Sequence, residues 1–128
     1  MFSANATVRL PWGFEASPIF RVQSGFAYSR SSPNAPDVDG DGQFNERDIN
    51  YVRNSFRAPK FFNLDTRLGK TFAIRERFKV SAYFEMFNLF NNANPAAMQN
   101  MPGLPTPFGE PLQILPGREG QVGLRMEF

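Results

Sequence analysis

The eight residues Gln121–Phe128 alternate without a fault. Val122, Leu124, Met126 and Phe128 are apolar, whereas Gln121, Gly123, Arg125 and Glu127 are polar, charged or small. A period of two puts these sets on opposite faces of a β-strand, one apolar and one wet. Hydropathy conceals the pattern. The mean hydropathy is −0.39, and no run of about 18 apolar residues exists, so a transmembrane helix is excluded. A membrane-crossing strand is not, because alternation dilutes its apolar signal.

The same alternation divides the chain into five segments. The first is about Ser3–Leu10, with Ala4, Ala6, Val8 and Leu10 on one face, and Pro11-Trp12-Gly13 then makes a tight turn. The second is about Phe14–Tyr28, opposing Phe20, Val22, Phe26 and Tyr28 to Arg21, Gln23 and Gly25. Pro18 interrupts it and predicts a bulge or a late strand start, since proline removes a ladder donor. After a break at Ser29–Lys60, rich in Ser, Pro, Asn and Asp, comes a third strand, about Phe62–Phe72. Ile74–Arg77 is a short turn. The fourth strand, about Phe78–Leu89, opposes Val80, Ala82, Phe84 and Met86 to Lys79, Ser81, Tyr83 and Glu85. A second long break, Asn91–Gly117, is rich in Pro and Gly, and Glu119–Phe128 is the fifth strand. The reading is an all-β chain of about five antiparallel, up-and-down strands in one domain, 1–128, with long loops at 29–60 and 91–117.

Composition narrows the chemistry. With no Cys and no His, disulfides, zinc–thiolate sites, cysteine nucleophiles and histidine bases are absent. Glu76, Glu85 and Asp65 show no spacing for paired-carboxylate hydrolysis, so no enzyme is expected. The net charge of +2 is spread without a basic block, which argues against nucleic acid. Fifteen Phe residues suit strands and membrane-interface girdles, and a soluble β core equally well. The start, MFSANATVRL, lacks the charged and apolar regions of a signal peptide, so a barrel reading expects upstream sequence.

Connections alternate short, long, short, long. That asymmetry is the rule in outer-membrane barrels, with tight periplasmic turns and long extracellular loops. Three stretches then carry a resemblance: NLDTRLGKTF (Asn63–Phe72), FKVSAYFEMFNLFNNANP (Phe78–Pro95) with its FNLFN core at Phe87–Asn91, and the closing GREGQVGLRMEF. Together they resemble the C-terminal end of a TonB-dependent outer-membrane receptor of the type with a carboxypeptidase-regulatory-like N-terminal domain. The resemblance implies the C-terminal portion of a barrel of about 22 strands with a plug, energised by the TonB complex, taking up substrates such as siderophores, cobalamin or oligosaccharides. The expected partners are outer-membrane lipid, the remainder of the barrel and plug, and the TonB complex through an N-terminal part. The expected location is the outer membrane of a Gram-negative bacterium. Alone, the chain is expected not to transport.

The sharpest local chemistry is Asp37–Asp48. Against a twelve-residue calcium loop, Asp37, Asp39 and Asp41 fall at positions 1, 3 and 5, and Gly42 at the turn position 6. Gln43 at 7 offers a backbone carbonyl, Asn45 stands at 9, and Asp48 closes at 12. Hard oxygen ligands at alternating positions suit Ca²⁺. The stretch resembles a dockerin or EF-hand-like loop, with the shorter Asp in place of Glu at the last position. The preceding Ser-Ser-Pro-Asn-Ala-Pro cannot be helical, whereas Glu46–Phe56 is spaced for a short helix. The bland alternative is an Asx-turn-rich surface loop. A second reading of the whole chain is a soluble, secreted, calcium-binding β module used for binding or assembly.

Lys79, Glu85, Asp65, Arg67, Arg21, Arg9, Arg125 and Glu127 all fall on polar faces, where a cross-strand charge ladder is expected. Trp12, Phe14, Phe61, Phe62, Phe72, Phe78 and Phe128 lie near strand ends, with Trp12, Phe72, Phe78 and Phe128 assigned to the short-turn side as interface anchors.

Overall fold

The computed structural model describes residues 1–32, 37, 40, 42, 46–75 and 78–128. They form two compact units. The first comprises Met1–Gln23, Phe62–Asn92 and Pro116–Phe128, and the second Ser24–Phe61 and Ala93–Leu115.

The first unit is a six-stranded antiparallel sheet. β1 (Phe2–Asn5) and β2 (Val8–Arg9) pair with β3 (Phe14–Gln23), followed in order by β6 (Phe61–Arg75), β7 (Phe78–Phe87) and β10 (Glu119–Glu127). The main strands neighbour one another in chain order, the expected up-and-down arrangement. A 3-10 turn, Pro11–Gly13, joins β2 to β3, with Trp12 at φ 62 and Gly13 at φ 77. Leu10 N donates to Phe14 O at 2.8 Å across it.

Pro18 acts differently from the expected bulge. Asn5 faces Ile19 and Val8 faces Ala16, so the register is unbroken through the proline. Ala6 N donates to Pro18 O at 3.2 Å, but Pro18 has no N–H to return. The pairing therefore lapses on the partner, which splits into β1 and β2. Other boundaries shift for local reasons. β3 stops at Gln23 rather than Tyr28, and Gly25 is a point of close approach where a Cβ would collide with the Ala58 carbonyl. β6 runs to Arg75, absorbing part of the expected turn, with a register irregularity between Ala73 and Arg75. β7 ends at Phe87 because Asn88 takes φ 48.

The second unit gives the long loops more structure than expected. β4 (Ala27–Tyr28) pairs with β5 (Phe56–Arg57), and β8 (Pro95–Met98) with β9 (Pro111–Ile114). Tyr28 stacks on Phe56 at 5.7 Å, and Phe108 meets Phe56 edge-on at 4.8 Å. Ala58 and Met98 are buried. The expected helix at Glu46–Phe56 is absent; residues 46–55 are turns and irregular backbone. Asp48 Oδ1 accepts from Asn50 N at 3.0 Å, an Asx turn that competes with helical bonding, and Asn54 sits at φ 60.

Candidate functional site

Register makes the alternation a property of the whole sheet. On one face, Leu68, Phe84 and Val122 stand in a row, as do Phe72, Val80 and Met126. Val122 is 77% and Leu124 65% exposed. This face is apolar apart from Thr66, opposite Met86, and Lys70, opposite Ala82, and so many exposed apolar side chains on one face are foreign to a surface that meets water. Aromatic rings bound it. At the long-loop edge, Phe2, Phe20, Phe62 and Phe90 form a chain of contacts at 6.2, 5.3 and 5.8 Å. At the short-turn edge, the Lys70 ammonium lies 4.6 Å from the Phe14 ring centre and 5.1 Å from that of Phe72, near the exposed Trp12. Phe62 and Phe72 are ten residues apart on β6. At a rise of about 3.4 Å and a tilt of about 40°, that separation spans roughly 26 Å, against an apolar band of about 25 Å in outer-membrane barrels.

The opposite face carries paired charge. Arg21 donates to Asp65 at 2.7 Å, and Arg67 lies 3.6 Å from Glu85, which also accepts from Gln121. Thr71 and Ser81 share a 2.8 Å hydrogen bond, and Arg125 reaches Glu127 at 3.0 Å. The expected cross-strand ladder is present in part: Arg21–Asp65 and Arg67–Glu85 cross between strands, whereas Arg125 and Glu127 pair along β10. Between its rungs, Tyr83 stands opposite Gly69 on one side and Gly123 on the other. A Cβ on Gly123 would collide with the Tyr83 ring, so glycine opens the slot that the ring fills. The Arg67 guanidinium lies over that ring, 4.0 Å from its centre. This slot was not anticipated from the sequence; glycines inside strands were the available signal.

The FNLFN core owes its form to asparagine. Asn88 is buried and left-handed, and Asn91 is likewise at φ 54. Asn88 N donates to Asp65 Oδ1 at 3.0 Å. Asn88 Nδ2 reaches Asn92 O at 3.0 Å and Pro116 O at 3.2 Å, while Asn88 Oδ1 accepts from Asn92 N at 2.9 Å. Asn91 Oδ1 accepts from Arg118 N at 2.9 Å. Sequence reasoning missed these roles, although a cluster of Asn just after a strand signals a left-handed turn.

A family model described as an outer membrane beta barrel domain matches residues 42–121, more than half of the 128-residue chain. The chain belongs to this outer membrane beta barrel domain family. No curated protein and no solved structure matches it. The match spans β5 to β9 and the start of β10, and its antiparallel all-β architecture agrees with an outer-membrane β-barrel.

Of the calcium-ligand set, Asp39, Asp41, Gln43 and Asn45 lie outside the described residues. Asp37 accepts from Gly40 N at 2.6 Å and Gly42 N at 3.0 Å. Asp48 is held elsewhere. Its Oδ2 lies 3.3 Å from Arg30 Nε, its Oδ1 takes both Asn50 N and Asn50 Nδ2, and its backbone N donates to Arg30 O at 2.9 Å. Arg30 in turn donates to the Tyr51 hydroxyl at 2.9 Å. Among the described residues, no cluster of three or more metal-ligating side chains forms.

Proposed function

We propose that this β-barrel segment is wall from an outer-membrane TonB-dependent receptor, with its apolar face in lipid and its charged face toward a wet lumen. The observation that carries the reading is the apolar face bounded by aromatic rows at about the height of a membrane's apolar band. Among the described residues the sheet is open at β1 and β2 on one side and at β10 on the other, and lipid cannot satisfy unpaired backbone groups, so on this reading further strands complete the wall. On this reading the chain contributes no catalysis and no transport alone. Substrate choice and TonB coupling belong to the plug and the rest of the receptor.

Two measurements test this reading. The first is the DNA upstream of the Met1 codon. An in-frame continuation encoding more alternating strands, a plug and a TonB box supports the receptor; a stop codon followed by a separate ribosome site refutes it. The second uses the absence of native Cys. Single cysteines along β7 should react with a membrane-impermeant maleimide at odd positions and be shielded at even ones. Uniform labelling refutes the two-sided wall.

A calcium role for Asp37–Asp48 is a separate proposal. The Asp37 carboxylate already draws Gly40 and Gly42 back toward it, as a metal-wrapping loop requires. Asp48 joins only by exchanging Arg30 for the ion, so Arg30→Gln should tighten Ca²⁺ binding in a calorimetric titration. Absence of binding in both forms removes the proposal. If removing Ca²⁺ melts most of the fold and adding it back restores it, the soluble calcium module replaces the barrel reading.

A further inference from the structure

On the charged face, beside the Pro11–Gly13 turn, lies a cavity of about 520 Å³ lined by Arg9, Arg67, Arg125, Tyr83, Ser17 and Glu15, among others. Its lining holds three arginines and one acidic residue, Glu15, while Glu85 and Glu127 pair with Arg67 and Arg125. Lys70 also borders the cavity, but its ammonium is engaged with the Phe14 and Phe72 rings.

The three arginines are loosely held. Arg67 lies 3.6 Å from Glu85, beyond the roughly 2.7–2.9 Å of a charge-assisted hydrogen bond, and sits over the Tyr83 ring, 4.0 Å from its centre. The partner of Arg125 is Glu127, two residues along the same strand and 49% exposed; exposed pairs of this kind bind weakly. Arg9 makes no ion pair among the described residues, although Glu15 is its ladder neighbour. Arg21 is the contrast: held by Asp65 at 2.7 Å, it lies outside the cavity lining. Loosely paired guanidinium forks beside hydroxyl donors are the recognition chemistry of planar or tetrahedral oxyanions.

We propose that this cavity binds an anionic group, a carboxylate or a phosphate, through Arg9, Arg67 and Arg125. The group belongs either to a soluble anion passing along the lumen or to an acidic side chain of polypeptide lying in it. The proposal rests on the charged face being the wet one.

The test uses the chain in its native outer membrane with Ser81→Cys, in the cavity lining, and Phe84→Cys on the opposite face. Each is treated with an anionic and a cationic methanethiosulfonate of similar size, and the mass shift of the chain is followed with time. Relative to a free thiol, Ser81→Cys should favour the anionic reagent by about tenfold, and Arg67→Gln with Arg125→Gln should abolish that preference. A soluble anion is indicated if inorganic phosphate or succinate slows the labelling. A polypeptide carboxylate is indicated if neither protects and a photo-crosslinking residue at Thr71 captures polypeptide. A Ser81→Cys preference equal to that of a free thiol, with Phe84→Cys unreactive, overturns the anion site and leaves the wall orientation standing. Labelling of Phe84→Cys but not Ser81→Cys overturns the orientation and the site with it.

Discussion

Phe84→Arg probes the depth of the wall. Phe84 stands between Leu68 and Val122 on the flanking strands. Leu68 lies six residues from Phe62 and four from Phe72 along β6. At about 2.6 Å of membrane depth per tilted residue, Phe84 is roughly 16 Å below one aromatic row and 10 Å above the other. An arginine there sits close to the midplane and should cost about 2–4 kcal/mol. Val80 lies on the same face but is level with Phe72 and Met126, so Val80→Arg can extend its charge to the interface and should cost at most about 1 kcal/mol. Phe84→Leu, which keeps the face apolar, should remain within about 1.5 kcal/mol of the parent. The assay is a urea titration of the barrel carrying this chain in phosphatidylcholine vesicles, with the folded fraction read from heat-modifiable gel mobility. If the two arginines cost the same, or Phe84→Arg costs nothing, the face does not meet lipid and the spacing of the aromatic rows is incidental.

Two further outcomes follow from the charged face and the asparagine turn. Gly123→Ala should destabilise by about 1–3 kcal/mol because the new Cβ displaces the Tyr83 ring, and on a Tyr83→Ser background the same change should cost almost nothing. Additive losses in that double-mutant cycle would refute the slot. Asn88→Ala should raise hydrogen exchange at residues 88–92 and 116–118 and cost more than Asn88→Gly. Both lose the side-chain bonds, but only alanine also bears the left-handed φ, at about 1–2 kcal/mol. Equal costs for the two variants would mean that the backbone at Asn88 is unstrained.

The wall was legible in the sequence because each of its strands solves a two-sided problem alone. β7 begins at the expected Phe78 and β10 at the expected Glu119, where alternation sets in. Partner choice within the charge ladder was not legible. That Arg67 meets Glu85 while Arg21 meets Asp65 depends on register, which short turns fix and composition does not. The small ladders of the second unit escaped for a related reason. β4 and β5 are two residues each and separated by a long excursion, too short for any period to register. The misplaced helix at Glu46–Phe56 was a true periodicity overruled locally: the Asp48 carboxylate takes the amide of Asn50, and a short segment has little cooperativity with which to resist.

The asparagine turn explains how such a wall can carry a long excursion at Asn91–Gly117 without loosening. Glycine at position 88 would supply the left-handed backbone but no side-chain bonds, and aspartate would supply acceptors only. Asparagine does both. Its amide donates to Asn92 O and Pro116 O and accepts from Asn92 N, while Asn91 accepts from Arg118 N. The chain leaving β7 and the chain returning to β10 are thus tied to one another within the sheet unit itself. Closure of the loop is met by these few polar bonds at its ends and places little demand on what lies between them. The interior of the loop then builds its own β8–β9 ladder, whereas Asn88 and Asn91 are fixed by the geometry of the wall.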